Sequence, residues 1–520
     1  MDTEYNTNLM AATAAGTLSI PDSIPQRIKR PILIAACLLL LFQALAMFST
    51  RWVEDESWYA VTAHTLMTRG EMRVPLFRDE AANAKVDMRP PLTFIIMAGF
   101  FKVLGTSIYS ARLPFLLSGL ACIFLTYLLG CELGRPWVGL LGAVILATDN
   151  LMVAASWTAR PESMAAAFAL LGILVFLRSQ RQNSVKLAFL SGLIVSLGAL
   201  VHPNAFAAAL SAGVFALIEF RWSIIWRARS WAFAAGVILP LSVFAAWGMS
   251  DAIHRQEFLT IYGGGEGFAL SDIPYLEWTR YRDFLGMGSM RVNLPVHVPT
   301  RLHIVLALLL SAFTLYRLDR KLLKSILCLI LPAMFWWAYE RNMTPRYIAT
   351  GSAYLSLLLA GAVVSLWNFR PAWRKAVTVC AALLLLSQVA GNFLFLYLYR
   401  QADYPTLTRQ LRSIIPADAH VYGALTFWMA LYDKPYYSWN RTPVTYAVDR
   451  GVNYLILNDR VLLHGSGDGQ DDWVERRNEA NAFVKDHATL IGHAPNSFYG
   501  DLEIYRVNAQ PASPPVNLKP

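Results

Sequence analysis

Three acidic residues of this chain sit where carboxylates are costly to hold. Asp55 and Glu56 follow directly on the first apolar segment, and Glu162 opens another in Thr158-Ala159-Arg160-Pro161-Glu162. An ionised carboxylate beside lipid is rarely kept without a task. The tasks open to it are taking a proton from a hydroxyl, holding a cation, or pairing with a neighbouring arginine. Lys85, Arg89, Arg112, Arg160 and, far along the chain, Arg346 next to Tyr347 are the cations that could neutralise a phosphate in the same place.

The elements that must position these groups are set by composition. Of 520 residues 56% are hydrophobic and 15% charged, with a mean hydropathy of +0.40, too apolar for a soluble protein of this length. The apolar residues fall in blocks near 31–50, 110–131, 136–153, 163–178, 186–202, 204–220, 231–249, 302–316, 322–339, 347–366 and 375–398. These predict a polytopic α-helical membrane protein with about eleven transmembrane helices. The excess of 45 Lys+Arg over 35 Asp+Glu lies in short loops between the blocks, which argues against nucleic acid as a partner.

Those loops also orient the chain. Arg27/Lys29/Arg30, Arg178/Arg181/Lys186, Arg221/Arg227/Arg229, Arg317/Arg320/Lys321/Lys324 and Arg370/Arg374/Lys375 fall on one side, the cytoplasm, if there are eleven spans. Residues 51–109, 154–162, 250–301 and 340–346, the His202-Pro203-Asn204 turn and everything after Tyr399 then face outward, where the candidate residues are. The expected organisation is a disordered cytoplasmic leader (1–30), a transmembrane domain (31–399), an outer soluble α/β domain (400–510) and a disordered tail (511–520). The five cysteines all belong to the apolar blocks, so no disulfide framework is implied.

Within the first outer loop, Trp58 to Met67 and Leu92 to Leu104 are apolar at helical spacing, yet too short for a span of about 20 residues. Helices lying in the outer interface fit better, and the first would hold Asp55 at the boundary between water and lipid. A plain helix cap is the other reading of Asp55.

Asp55-Glu56-Ser57-Trp58-Tyr59-Ala60, Gly70, Pro75, Arg89-Pro90-Pro91-Leu92, Phe100-Phe101-Lys102-Val103-Leu104-Gly105 and Ala111-Arg112-Leu113-Pro114 occur in that order. Over roughly residues 50–180 this pattern resembles the C-type superfamily of integral-membrane glycosyltransferases, in particular its bacterial protein O-mannosyltransferase-like and aminoarabinose-transferase-like branch. The resemblance implies a polyprenyl-phosphate-linked sugar as donor, transfer on the outer face of a bacterial inner membrane, and a glycolipid, polysaccharide or protein as acceptor. Elementary chemistry agrees. No nucleotide sugar is expected outside the cell, so a sugar used there would arrive on a lipid. Direct displacement needs one base and cations for the leaving phosphate, but no general acid, and would invert the anomeric centre.

On that resemblance Asp55 is the expected base, Glu56 tunes or orients it, and Glu162 occupies the second acidic position, where pairing with Arg160 or capping a helix is the plainer role. Arg89 stands where the family usually has lysine; with Lys85, Arg346, Tyr347, Arg160 and Arg112 it forms the expected phosphate set. Arg112 could instead anchor its helix in the interface, and Arg346 could pair with Glu340. Tyr59 and His202 are weaker substrate candidates, His202 serving equally to stabilise its turn.

No resident cofactor is expected, since the nine histidines form no metal-binding pair and no cysteine lies in an outer loop; carboxylate-bound Mg²⁺ or Mn²⁺ stays open. The glycines of Tyr262 to Gly267 suggest a flap or plain loop flexibility, and Gly465 to Asp472 a solvated turn rather than a calcium loop. In the tail, Val421–Ala424, Asn453–Leu457 and Leu502–Val507 read as strands, and Tyr404–Ile415 and Trp473–His487 as helices. The rival from another class is a transporter or flippase of lipid-linked sugars, although acids gathered at one rim favour chemistry over passage.

Overall fold

Each of the eleven apolar blocks becomes helix over most of its described length, because a backbone without water must satisfy its own N–H and C=O groups. The structure, a computed structural model, describes residues 25–48, 51–74, 85–262, 302–339, 349–439, 442–458, 470–496 and 498–508. The helices of the first half are α1 (Gln26–Phe48), α2 (Glu54–Arg69), α3 (Pro91–Leu104), α4 (Ile108–Glu132), α5 (Pro136–Thr148), α6 (Asn150–Trp157), α7 (Glu162–Arg181), α8 (Val185–Ala199), α9 (Ala207–Phe220) and α10 (Ala228–Gly248). They are followed by α11 (Ala252–Tyr262), α12 (Leu302–Leu318), α13 (Arg320–Tyr339), α14 (Ser352–Phe369) and α15 (Arg374–Tyr399). Strands β1 (Arg73–Val74) and β2 (Lys85–Val86) pair antiparallel between α2 and α3.

Among the described residues six helices are long and apolar enough to cross a bilayer, or seven if α5 and α6, bent by 62° to one another, make one span. The expected count of eleven is not reached on that criterion: α8, α9 and α12 are shorter apolar helices, and α13 is not among the six. The chain is a multi-pass membrane protein.

The bend after Thr148 has a local cause. Asp149 caps α6 by accepting the Met152 N–H at 2.8 Å and also takes the Ser352 hydroxyl at 3.0 Å. The carbonyls of Ala147 and Thr148, left without helical donors, are taken up by the side-chain amides of Gln43 (3.1 Å) and Asn392 (3.1 Å). This break turns the chain toward the 158–161 junction. Close packing of the bundle rests on small residues. A Cβ on Gly192 would lie 2.1 Å from the Phe233 carbonyl and one on Gly236 2.3 Å from that of Phe189, so α8 and α10 approach almost backbone to backbone.

Two hydrophobic clusters result. One fills the bundle, from Leu40 on α1 to Leu359 on α14. The other joins α2, α3 and the adjoining ends of α4 and α7 to the C-terminal domain, from Trp52 to Ile504. That domain holds α16 (Tyr404–Ile414), α17 (Val444–Asp449) and α18 (Gln470–His487) with β3 (Val421–Gly423), β4 (Tyr436–Ser438), β5 (Tyr454–Asn458), β6 (Ala488–Asn496) and β7 (Gly500–Val507). The sheet order is β4-β3-β5-β7-β6; β3 runs parallel to β4 and β5, and β7 antiparallel to β5 and β6. The helices and strands expected in the tail are present, and α17, β4, β6 and a 3-10 turn at Leu425–Leu431 are additions to them.

The two short helices expected in the first outer loop occur as α2 and α3 and differ in surroundings. α3 exposes Ile95, Val103 and Leu104, the last two at 81% and 55%, an apolar strip suited to a bilayer edge. α2 instead buries Ala60, Val61 and Ala63 in the cluster shared with the C-terminal domain.

Candidate active site

Asp55 and Glu56 are neighbours on the first turn of α2 and have opposite fates. Glu56 is fully buried and accepts four hydrogen bonds: from Arg112 Nε (2.7 Å) and the Ala159 N–H (2.8 Å) on Oε1, and from Arg112 Nη2 (2.8 Å) and the Val53 N–H (3.2 Å) on Oε2. Every lone-pair direction of the carboxylate is therefore engaged. Glu56, not Asp55, closes the N-terminus of the helix, in the manner of a capping box. Its partner Arg112 is also fully buried, donates to the carbonyls of Phe48 and Arg51, and lies over the rings of Trp52 (5.2 Å) and Trp157 (5.0 Å). Arg112 thus neither snorkels to the interface nor faces a substrate, contrary to both of its expected roles. Glu56 touches nothing that could react; it ties α1, α2, α4 and the 158–161 junction together.

Asp55 points the other way, half exposed, and forms an ion pair with Arg160 Nη1. The same guanidinium, itself 9% exposed, reaches Glu162 Oε1 through Nε and Nη2, both at 2.8 Å. Arg160 is therefore a bridge between the two acids. Glu162 lies at the start of α7 and is 2% exposed, with Oε2 buried and unpaired among the described residues. Of the roles expected for Glu162, pairing with Arg160 is the one its contacts show.

Arg89 reaches the site from the turn before α3. That turn is pinned to the end of α8 by the Leu92 N–H on the Leu200 carbonyl (2.9 Å) and the Thr93 hydroxyl on the Val201 carbonyl (2.9 Å). Its guanidinium pairs with Asp87, Nε at 2.9 Å from Oδ1, and lies over Trp58 (4.8 Å), Tyr59 (4.7 Å) and Phe94 (5.5 Å). Tyr59 is thus part of the seat of Arg89. Asp87, buried and also accepting from the Trp58 indole (3.1 Å) and the Thr62 hydroxyl (3.0 Å), is a residue that sequence reasoning missed. The one signal was its place two residues before Arg89.

His202 closes the cluster. Its Nδ1 accepts the Asn204 N–H at 3.2 Å, which fixes a neutral ring with the proton on Nε2. Burial pushes its pKa down to about 4; Glu162 opposes this, while Arg160 and Arg89 add to it. The turn-stabilising role expected of it is the one its hydrogen bond shows. Lys85 lies on β2 opposite Val74. Arg346 and Tyr347, with the glycines of 263–267 and the 465–469 stretch, lie outside the described residues. Among the described residues no three His, Cys, Asp or Glu side chains gather as a metal site would require.

A half-exposed carboxylate steadied by a buried arginine, beside a second acid and a partly exposed arginine, at one end of a membrane bundle, is an arrangement suited to group transfer. Residues 88–249, about a third of the chain, match the family described as dolichyl-phosphate-mannose-protein mannosyltransferase. The fold is similar to crystal structures of ArnT from Cupriavidus metallidurans. The apo form matches with a TM-score of 0.63 and 13% identity, over 91% of this chain and 97% of that one. The form bound to undecaprenyl phosphate gives 0.62 and 13%, over 93% and 98%. A protein of Aquifex aeolicus described only as uncharacterized is 24% identical over 237 residues, 45% of this chain. The match spans about half, 46%, of the length of that curated relative. Residues 88–249 thus carry the pattern of that mannosyltransferase family, and the chain over most of its length has a fold similar to that of ArnT.

Proposed function

We propose that this protein moves a sugar from a polyprenyl-phosphate donor to a hydroxyl or phosphate of an envelope glycolipid, polysaccharide or protein, on the outer face of a bacterial inner membrane. The observation that carries the reading is Asp55 itself: of the two acids bridged by Arg160 it is the one that meets solvent. In this reading Asp55 takes the acceptor proton as its oxygen attacks the anomeric carbon. The bond to the lipid phosphate breaks with its electron pair, and the anomeric centre inverts. Arg160 holds Asp55 in line, and Glu162 restrains Arg160 so that it does not neutralise Asp55 alone. Arg89, seated on aromatic rings, is the described cation best placed for the phosphate, with Lys85, Arg346 and Tyr347 as further members of that set.

Likeness in fold to a protein solved with undecaprenyl phosphate supports the donor class. Neither the family match nor the fold matches favour the transporter alternative. The reaction as written draws on no cofactor, so EDTA should leave the rate unchanged; rescue of an EDTA-treated enzyme by Mg²⁺ or Mn²⁺ would place a cation beside the acids.

The test is transfer from a panel of polyprenyl-phosphate sugars by the purified full chain, with Asp55→Asn beside it. Asp55→Asn should keep donor binding and lose turnover by about 10²–10⁴-fold, the usual worth of a general base. Full turnover in the Asp55→Asn enzyme, or a product that retains configuration, overturns the mechanism.

A further inference from the structure

The hairpin between β6 and β7 reaches across to the segment that carries Asp55. At its tip, Asn496 Oδ1 accepts the N–H groups of Phe498 (2.9 Å) and Tyr499 (3.0 Å), an Asx-type turn that fixes the direction of both rings. The Tyr499 hydroxyl accepts the Trp52 N–H at 2.8 Å and donates to the Trp52 carbonyl at 3.0 Å. One phenol thus closes both backbone groups of a single residue, three positions before Asp55. Tyr499 is wholly buried, and burial raises its pKa, so it keeps the proton that the Trp52 carbonyl requires.

Trp52 is fixed from its other sides too. Its ring packs against Tyr404 (6.1 Å) and under the Arg112 guanidinium (5.2 Å), and its indole N–H donates to Ser57 Oγ (2.6 Å) on α2. Further along α2, His64 meets Trp428 (5.6 Å) and Tyr432 (5.7 Å) of the same domain edge-on. The C-terminal domain therefore holds α2 near both ends, and no glycine separates Trp52 from Asp55 to absorb a shift.

Resting on the reading of Asp55 as the base, we propose that the C-terminal domain sets the position of that carboxylate, with Tyr499 as a positioning residue acting through Trp52. Tyr499 itself touches no substrate. It keeps the first turn of α2 at the height where Asp55 meets Arg160, and displacement of a reacting group by about 1 Å can cost on the order of 10²-fold in rate.

Tyr499→Phe keeps the ring and removes both hydrogen bonds to Trp52. The control is Tyr436→Phe: Tyr436 is a buried tyrosine of the same domain whose hydroxyl donates to the Ala424 carbonyl and does not contact α2. Amide hydrogen exchange on the full chain in detergent reads the latch without any substrate. Exchange over residues 52–57 should rise about tenfold in Tyr499→Phe, the worth of one or two lost hydrogen bonds, and stay at the wild-type rate in Tyr436→Phe. In the transfer assay Tyr499→Phe should lower kcat about tenfold with donor KM unchanged, whereas Tyr436→Phe should alter neither. Phe498→Leu, which loosens the hairpin tip but spares the hydroxyl, should give a weaker form of the same pattern and stands in if Tyr499→Phe does not fold. Wild-type exchange at 52–57 in the tip variants, or equal kcat in Tyr499→Phe and Tyr436→Phe, overturns the proposal. Failure of the wild-type chain on every lipid-linked sugar sinks the donor reading instead, and the exchange result still decides the latch.

Discussion

Asp55 and Glu56 are one peptide bond apart, and the regions around them work by opposite physics. The Glu56 region is dry and saturated: four donors meet one carboxylate, and its arginine is spent on carbonyls and indole rings. The Asp55 region is shared and incomplete: one arginine serves two acids, and one of those acids meets water. A buried ion pair with every lone pair used holds structure but has no capacity left for a reaction. A carboxylate held on one side and open on the other keeps that capacity.

The contrast can be broken first at Glu56. Glu56→Gln strands Arg112 as an uncompensated buried charge and should cost about 3–5 kcal/mol, seen as a large fall in thermal unfolding temperature in detergent. A mild loss would mean that the pair is hydrated.

The next effect comes from His202. Its folded pKa of about 4 lies below the ordinary histidine value of 6.5, so the unfolded chain binds the proton first as pH falls. Its contribution to stability is whole above about pH 6.5, declines below it and levels off near pH 4, a swing of about 3 kcal/mol. His202→Asn, which retains an acceptor for the Asn204 N–H, should lack that segment of the pH dependence in paired denaturation curves.

Arg160→Ala sharpens the comparison further by leaving Glu162 buried without its cation. A loss of about 2 kcal/mol is expected, most of it recovered by adding Glu162→Gln, a coupling that a double-mutant cycle measures. The smallest effect on stability belongs to Asp55→Asn, within about 0.5 kcal/mol of wild type, because its ion pair is half exposed. Equal destabilisation by Asp55→Asn and Glu56→Gln would erase the distinction between the two regions.

How much of this is legible in the sequence depends on distance along the chain. Apolar blocks give the helices, a short continuous apolar run gives β5 and an alternating one β7, since all these signals are local. The acids and Arg160 stand out through their motifs. Which way each turns does not, because burial of Glu56 depends on Arg112 and Ala159, 56 and 103 positions away. Arg112 reads as a surface anchor for the same reason. Asp87 looks like one polar residue in a short loop until the folding of α2 brings Trp58 and Thr62 to it. Strand β6, Ala488–Asn496, carries Gly492, Pro495 and a register shift near Leu490, which blur its alternation. Span lengths are less legible: α8, α9 and α12 are apolar but short among the described residues, and an apolar block does not report where helical geometry ends.

The Trp52–Tyr499 contact joins residues 447 positions apart. At ribosomal speeds of about 5–20 residues per second, roughly 20 seconds to a minute and a half passes between making one partner and making the other. Until the last hairpin has been synthesised and delivered to the same side of the bilayer as residue 52, the helix bearing Asp55 lacks its final brace. A nascent chain would therefore sit in the membrane with its bundle assembled before the first turn of the helix bearing Asp55 is tied to the C-terminal domain.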